Sequence, residues 1–68
     1  MNEAEAYINR IRNFRKRAYA RAFWAWLHIG FSGPEPEPGQ LSYMAAQAVR
    51  MRLYELSHKA EDPQPAGS

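Results

Sequence analysis

The sequence contains no cysteine among its 68 residues. Disulfide bonds, thiolate metal ligands and a cysteine nucleophile are therefore excluded. The most apolar stretch, residues 22–31, has ten residues, which is too short to span a bilayer. It also makes a poor signal peptide, because about 21 residues that include Glu3 and Glu5 precede it. No glycine-rich phosphate loop, zinc-ligand spacing or nucleophile elbow is present, so we expect no enzyme activity, no cofactor and no metal site.

The chain is also short for a globular domain, and this bounds its stability. A chain of about 60 residues buries only about 60% of its unfolded surface, so a monomer would be marginal. Small chains that lack disulfide or metal staples commonly depend on well-packed helices or on oligomerisation. We therefore expect a single helical domain that associates with a second copy of itself.

Residues 32–39 divide the chain, with the sequence Ser-Gly-Pro-Glu-Pro-Glu-Pro-Gly. Its three alternating prolines lack backbone donors and push the preceding residues into extended conformations, so a helix cannot continue through them. We expect a stiff polyproline II connector here. The segment 61–68 has two further prolines and no apolar periodicity, and we expect a disordered tail.

On either side of the connector the apolar spacing predicts a helix, from about 3 to 29 and from about 40 to 60. Asn2 is a suitable N-cap for the first helix, and Gly30 and Gly33 are suitable stop signals. The first helix has a broad apolar stripe that includes Ala4, Ile8, Ile11, Phe14, Ala18, Ala22 and Ala25. The second has a seam of Ala46, Val49, Leu53, Leu56 and Ala60, widened by Leu41, Met44, Ala45, Ala48 and Met51. The predicted fold is all-α, a two-helix antiparallel hairpin over residues 1–60 that dimerises into a four-helix arrangement.

The aromatic end of the first helix is apolar nearly all round, since only Arg21 and His28 interrupt it. Such a helix is normally buried on every side, and one partner helix covers one side only. We therefore expect a second copy of the chain or another protein to cover the rest. The predicted partner-binding residues are Phe23, Trp24, Leu27 and Phe31, with flanking charge from Arg17 and Arg21.

The first half of the chain is basic. Residues 1–33 contain six basic and two acidic residues, whereas residues 34–68 contain three basic and five acidic ones. The simpler interpretation is that long basic side chains flank the core and cover it with their stems. The alternative is a nucleic-acid surface that reads backbone charge, because no base-reading motif is present. Its candidate residues are Arg10, Arg12, Arg15, Lys16 and Arg17.

The sequence therefore favours a small non-enzymatic protein-interaction module. We expect a cytoplasmic homodimer that regulates, inhibits or adapts another protein through its aromatic patch. A nucleic-acid-binding dimer is the first alternative, and a helix on a membrane surface is a less favoured one. A short cysteine-free chain of this kind suits an accessory protein of a bacterium or a phage.

Overall fold

The segment predicted to form the first helix contains two helices. The structure, a computed structural model, describes residues 2–30 and 32–61, and within these ranges it is all-helical with no strand. Helix α1 spans Glu3–Arg10, α2 spans Phe14–His28 and α3 spans Tyr43–Glu61. The all-α class is confirmed, whereas the two-helix architecture is wrong in the number of helices. The predicted tail lies outside the described residues except for Glu61, which ends α3.

The break between α1 and α2 is made by Ile11 and Asn13. The backbone of Ile11 is extended, with φ −70° and ψ 121°, and this ends α1. The side chain of Asn13 then accepts a hydrogen bond of 2.9 Å from the backbone N–H of Lys16 and caps α2. Asparagine favours caps over helix interiors because its side chain competes for backbone hydrogen bonds. The apolar stripe predicted for one continuous helix over residues 3–29 therefore does not continue across the break, because α2 begins with a new rotation about its own axis.

Helix α1 runs antiparallel to both longer helices. Near its start, Glu3 Oε1 lies 3.4 Å from Lys59 Nζ at the far end of α3. At its other end, Asn9 Oδ1 accepts a hydrogen bond of 2.9 Å from Arg21 of α2. The predicted cap at the start of α1 is present, since Asn2 Oδ1 accepts the N–H of Glu5 at 2.8 Å.

Helices α2 and α3 run parallel, and the predicted antiparallel pairing is wrong. Arg50 Nη1 donates to the Tyr19 hydroxyl at 3.1 Å. One turn further along both helices, the rings of Phe23 and Tyr54 meet edge to face with centroids 5.5 Å apart. The sequence separation is 31 residues for both pairs, so position along α3 advances together with position along α2.

The proline-rich connector makes the parallel arrangement possible by returning along α2. Helix α2 has 15 residues and is therefore about 22 Å long. An extended polyproline segment rises about 3.1 Å per residue, so residues 32–39 reach a similar distance. Trp26 Nε1 donates to the Gly33 carbonyl at 3.2 Å and holds the first part of the connector. Residues 36–40 line a groove with Phe14, Ala18 and Ala22 of α2.

Two glycines with positive φ bracket this return. Gly30 has φ 73° directly after the C-cap of α2, and its N–H bonds to the Leu27 carbonyl at 3.3 Å. Gly39 has φ 65° in the turn that precedes α3. Residues with a Cβ rarely adopt this left-handed conformation, so glycine is required at both changes of direction.

The core lies between the three helices. The predicted seam of α3 is confirmed at four positions, while α2 buries a different set from the one predicted, because the break shifts its phase. Ala18, Ala22 and Ala25 are exposed instead. The buried residues are Ala4, Ile8, Tyr19, Ala20, Phe23, Ala46, Val49, Leu53 and Leu56.

Candidate interaction surface

Phe23 was predicted to bind a partner, but it is the centre of the core. Its side chain has 0% exposure. Its ring contacts those of Tyr19, Trp26 and Tyr54 at centroid distances of 5.9, 5.6 and 5.5 Å. The physical reason is that α1, α3 and the connector all lie against α2, so more of this helix is covered than one partner helix could cover. Phe23 is therefore excluded from any docking surface.

Two of the other predicted partner-binding residues remain partly accessible. Trp24 and Leu27 are half-buried and pack against the core cluster. The indole of Trp24 also meets the exposed His28 ring edge to face at 4.6 Å. Phe31 lies outside the described residues. Trp24 and Leu27 therefore offer a partner only part of their surface, and the broad aromatic patch that was predicted is not present.

The two flanking arginines hold α1 against α2. Arg17 Nη1 donates to the Ile11 carbonyl at 2.8 Å, which satisfies a carbonyl left free where α1 ends. Its guanidinium also lies 5.9 Å from the centroid of the Phe14 ring. Arg21 bonds to Asn9. Both side chains have a structural role at the α1–α2 junction.

The largest exposed apolar side chains with a common direction lie on α3. Met44, Ala48 and Met51 follow one another at spacings of four and three residues, which places them on one stripe opposite the core seam. Met44 is 77% exposed and Met51 is 61% exposed. Tyr43, which is 72% exposed, flanks the stripe together with Tyr54. We call the stripe of Met44, Ala48 and Met51 the α3 outer face.

The apolar spacing predicts that the α3 outer face belongs to the core, as a widening of the α3 seam. The structure corrects this prediction, because it leaves Met44, Ala48 and Met51 exposed. The available signal was geometric, since these residues lie more than 100° from the centre of the seam formed by Val49 and Leu53. A helix with apolar residues on two sides needs two neighbours, and only one side of α3 is covered here.

The basic residues separate into two groups. Arg17 and Arg21 have the intramolecular partners described above. The side chains of Arg10, Arg12, Arg15 and Lys16 have no ion pair in the described part of the chain, where the two ion pairs are Arg52–Glu55 and Lys59–Glu3. These four residues surround the α1–α2 break, and we call them the basic turn.

The pKa values of two ionisable groups at the helix contacts are shifted by their surroundings. Burial raises the pKa of Tyr7 on α1, and the nearby positive charge of Arg52 opposes that effect. The hydrogen bond to Tyr19 raises the pKa of Arg50. Both shifts arise at contacts between helices, so they report packing rather than a reactive site.

No match to this chain was found among protein-family models, curated proteins or solved structures. Within the described ranges, no helix has both the length and the apolar character needed to cross a bilayer. The same residues contain no group of three His, Cys, Asp or Glu side chains placed to hold a metal ion.

Proposed function

We propose that the chain is a small non-enzymatic protein-interaction module that acts as a homodimer through the α3 outer face. The observation that carries this proposal is the exposure of Met44 and Met51 on one stripe, 77% and 61% respectively. Removing apolar surface from water contributes about 25 cal/mol per Å², so a partner that covers these side chains gains free energy. Covering them would also support a chain whose monomer is of marginal size.

The pattern of the face supports a second copy as the occupant. The small Ala48 is flanked by methionines four residues before it and three residues after it. This order reads nearly the same in both directions, so two copies of α3 that cross antiparallel present matching surfaces. A two-fold interface requires such self-complementarity. The alanine at the centre permits close approach, and methionine adapts to irregular gaps.

Charge distribution also favours this face. The three side chains of the α3 outer face carry no formal charge, and their charged neighbours Arg52 and Glu55 pair with each other at 2.9 Å. The basic turn, by contrast, concentrates four cations elsewhere. A second copy that docks on the basic turn would place like charges opposite one another, which is destabilising. A second copy that docks on α3 avoids this repulsion.

The test is sedimentation equilibrium of the full chain and of the double variant Met44→Glu/Met51→Glu. We expect twice the chain mass for the natural sequence and a folded monomer for the variant, because four buried carboxylates, two from each copy, would meet across the two-fold axis. Ile29→Glu is the matched control, since Ile29 is 59% exposed at the end of α2 and should remain dimeric. A natural chain that stays monomeric at high micromolar concentration would overturn the proposal.

A further inference from the structure

We propose that the basic turn, together with the exposed ring of Phe14, binds single-stranded nucleic acid. This inference does not depend on dimerisation, because none of its residues lies on the α3 outer face. The contact residues differ from those predicted from the sequence at two positions, because Arg17 bonds to the Ile11 carbonyl and the ring of Phe14 is exposed.

The basic turn carries an excess of positive charge without internal compensation. Arg10, Arg12, Arg15 and Lys16 fall within seven consecutive positions that contain no acidic residue. None of the four takes part in an ion pair within the described ranges. Glu37 of the connector lines the same groove as Arg15, yet no ion pair joins them. Four cations around one helix break attract a polyanion, and neutralising phosphates releases condensed counterions.

The position of Phe14 also supports this proposal. Its side chain is 73% exposed although it lies at the first position of α2, between Arg12 and Arg15. An aromatic ring surrounded by cations is the arrangement in which an unpaired base stacks while its phosphates meet arginine. The bases of a duplex are already stacked on each other, so an exposed ring selects single strands. The ring also lines the open groove between α2 and the connector, beside Ala18 and Pro36.

The arginine content of the basic turn favours nucleic acid over an anionic membrane. Three of the four cations are arginine, whose planar guanidinium binds phosphate with two hydrogen bonds and stacks on bases. A membrane surface responds to arginine and lysine alike, and stable attachment needs a long apolar helix face beside the charge. The basic turn offers one aromatic ring at a helix end. The chemistry therefore fits nucleic acid better.

The experiment is a fluorescence anisotropy titration of labelled oligothymidylate with the full chain at several salt concentrations. If all four cations contact phosphates, the slope of log affinity against log salt should be about −3, at about 0.7 per phosphate on single strands. Arg12→Ala and Arg15→Ala should each reduce this slope by about 0.7. Arg52→Ala is the matched control, because Arg52 lies on α3 and pairs with Glu55. It should leave both affinity and slope unchanged.

Phe14→Ala should weaken binding about tenfold with no change in slope, since stacking of one base contributes uncharged free energy. Phe14→Leu keeps apolar bulk without a ring and should lose a similar factor, whereas Phe14→Tyr should retain binding. Circular dichroism of each variant verifies that the helices persist. Absence of binding at low salt, or an equal loss in Arg52→Ala, would overturn the proposal. Binding to phosphatidylserine-containing vesicles without binding to the oligonucleotide would overturn it as well.

Discussion

The second half of α2 and the first half of α3 are both apolar on more than one side, yet the structure treats them oppositely. Phe23 of α2 is completely buried, while Met44 of α3 is 77% exposed. The difference is the number of neighbours. Helix α2 contacts α1, α3 and the returning connector, whereas α3 has helices on its inner side only. Apolar composition therefore predicts that a segment will be buried by some neighbour. The tertiary arrangement determines which apolar segment is buried within the same chain.

Shortening the connector should remove the difference in burial between α2 and α3. Deleting residues 35–37 removes about 9 Å of polyproline length, so the chain can no longer return along α2. We expect loss of cooperative unfolding in urea, since α3 cannot reach its parallel position. The control is an insertion of three residues, Gly-Ser-Gly, after Glu35. The entropic cost of this longer loop is about 0.2 kcal/mol. If the shortened chain folds with unchanged stability, the parallel arrangement is wrong.

Truncating Phe23 of α2 and Met44 of α3 to alanine tests the difference in burial between the two helices. Phe23→Ala should lower the free energy of unfolding by about 3–5 kcal/mol, because it opens a cavity at the centre of the core. Met44→Ala should change the stability of the monomer by less than about 0.5 kcal/mol, since surface substitutions rarely do more. Urea unfolding of both variants in a Met51→Glu background, which disfavours the dimer, separates folding from association. Equal effects of the two truncations would contradict the assigned burial.

The smallest expected effect is a dependence on alkaline pH that distinguishes two tyrosines. Burial raises the pKa of Tyr7, so the folded chain keeps the phenol proton to higher pH than the unfolded chain does. Its contribution to stability is complete below about pH 10, the value for a free tyrosine, and is lost as pH rises through the folded pKa.

Stability measured between pH 8 and 11 should therefore fall less steeply in Tyr7→Phe than in the natural chain. Tyr43→Phe is the control because Tyr43 is 72% exposed. A steeper fall in Tyr7→Phe than in the natural chain would show that the phenol is not held in its protonated form by packing.

Several elements followed from the sequence because their causes are local. The cap at Asn2 and the proline connector depend on the chemistry of a few consecutive residues. The α3 seam at Val49 and Leu53 follows from helical periodicity within one uninterrupted helix. The break at Asn13 was also local, but the apolar spacing continues across it from Ile8 and Ile11 to Phe14 and Ala18, and this spacing concealed the break. As a result, the core face predicted for α2 was rotated away from its true position.

The candidate surfaces depended on longer-range facts. Helix composition could not reveal that Arg17 and Arg21 are used inside the molecule, because their partners Ile11 and Asn9 approach only when α1 folds back. The exposure of Met44 likewise depends on which side of α3 faces α2.

Neighbours along the chain set the helical class, the place of the proline connector and the four buried positions of the α3 seam, so these could be predicted from the amino acids. Contacts between distant segments set the parallel direction of α2 and α3, the burial of Phe23 and the exposure of the α3 outer face and the basic turn. The physical reason is that an extended connector can either turn back at once or run the length of a helix. The contacts of α3 with α2, together with the hydrogen bond from Trp26 to Gly33 in the connector, favour the second path.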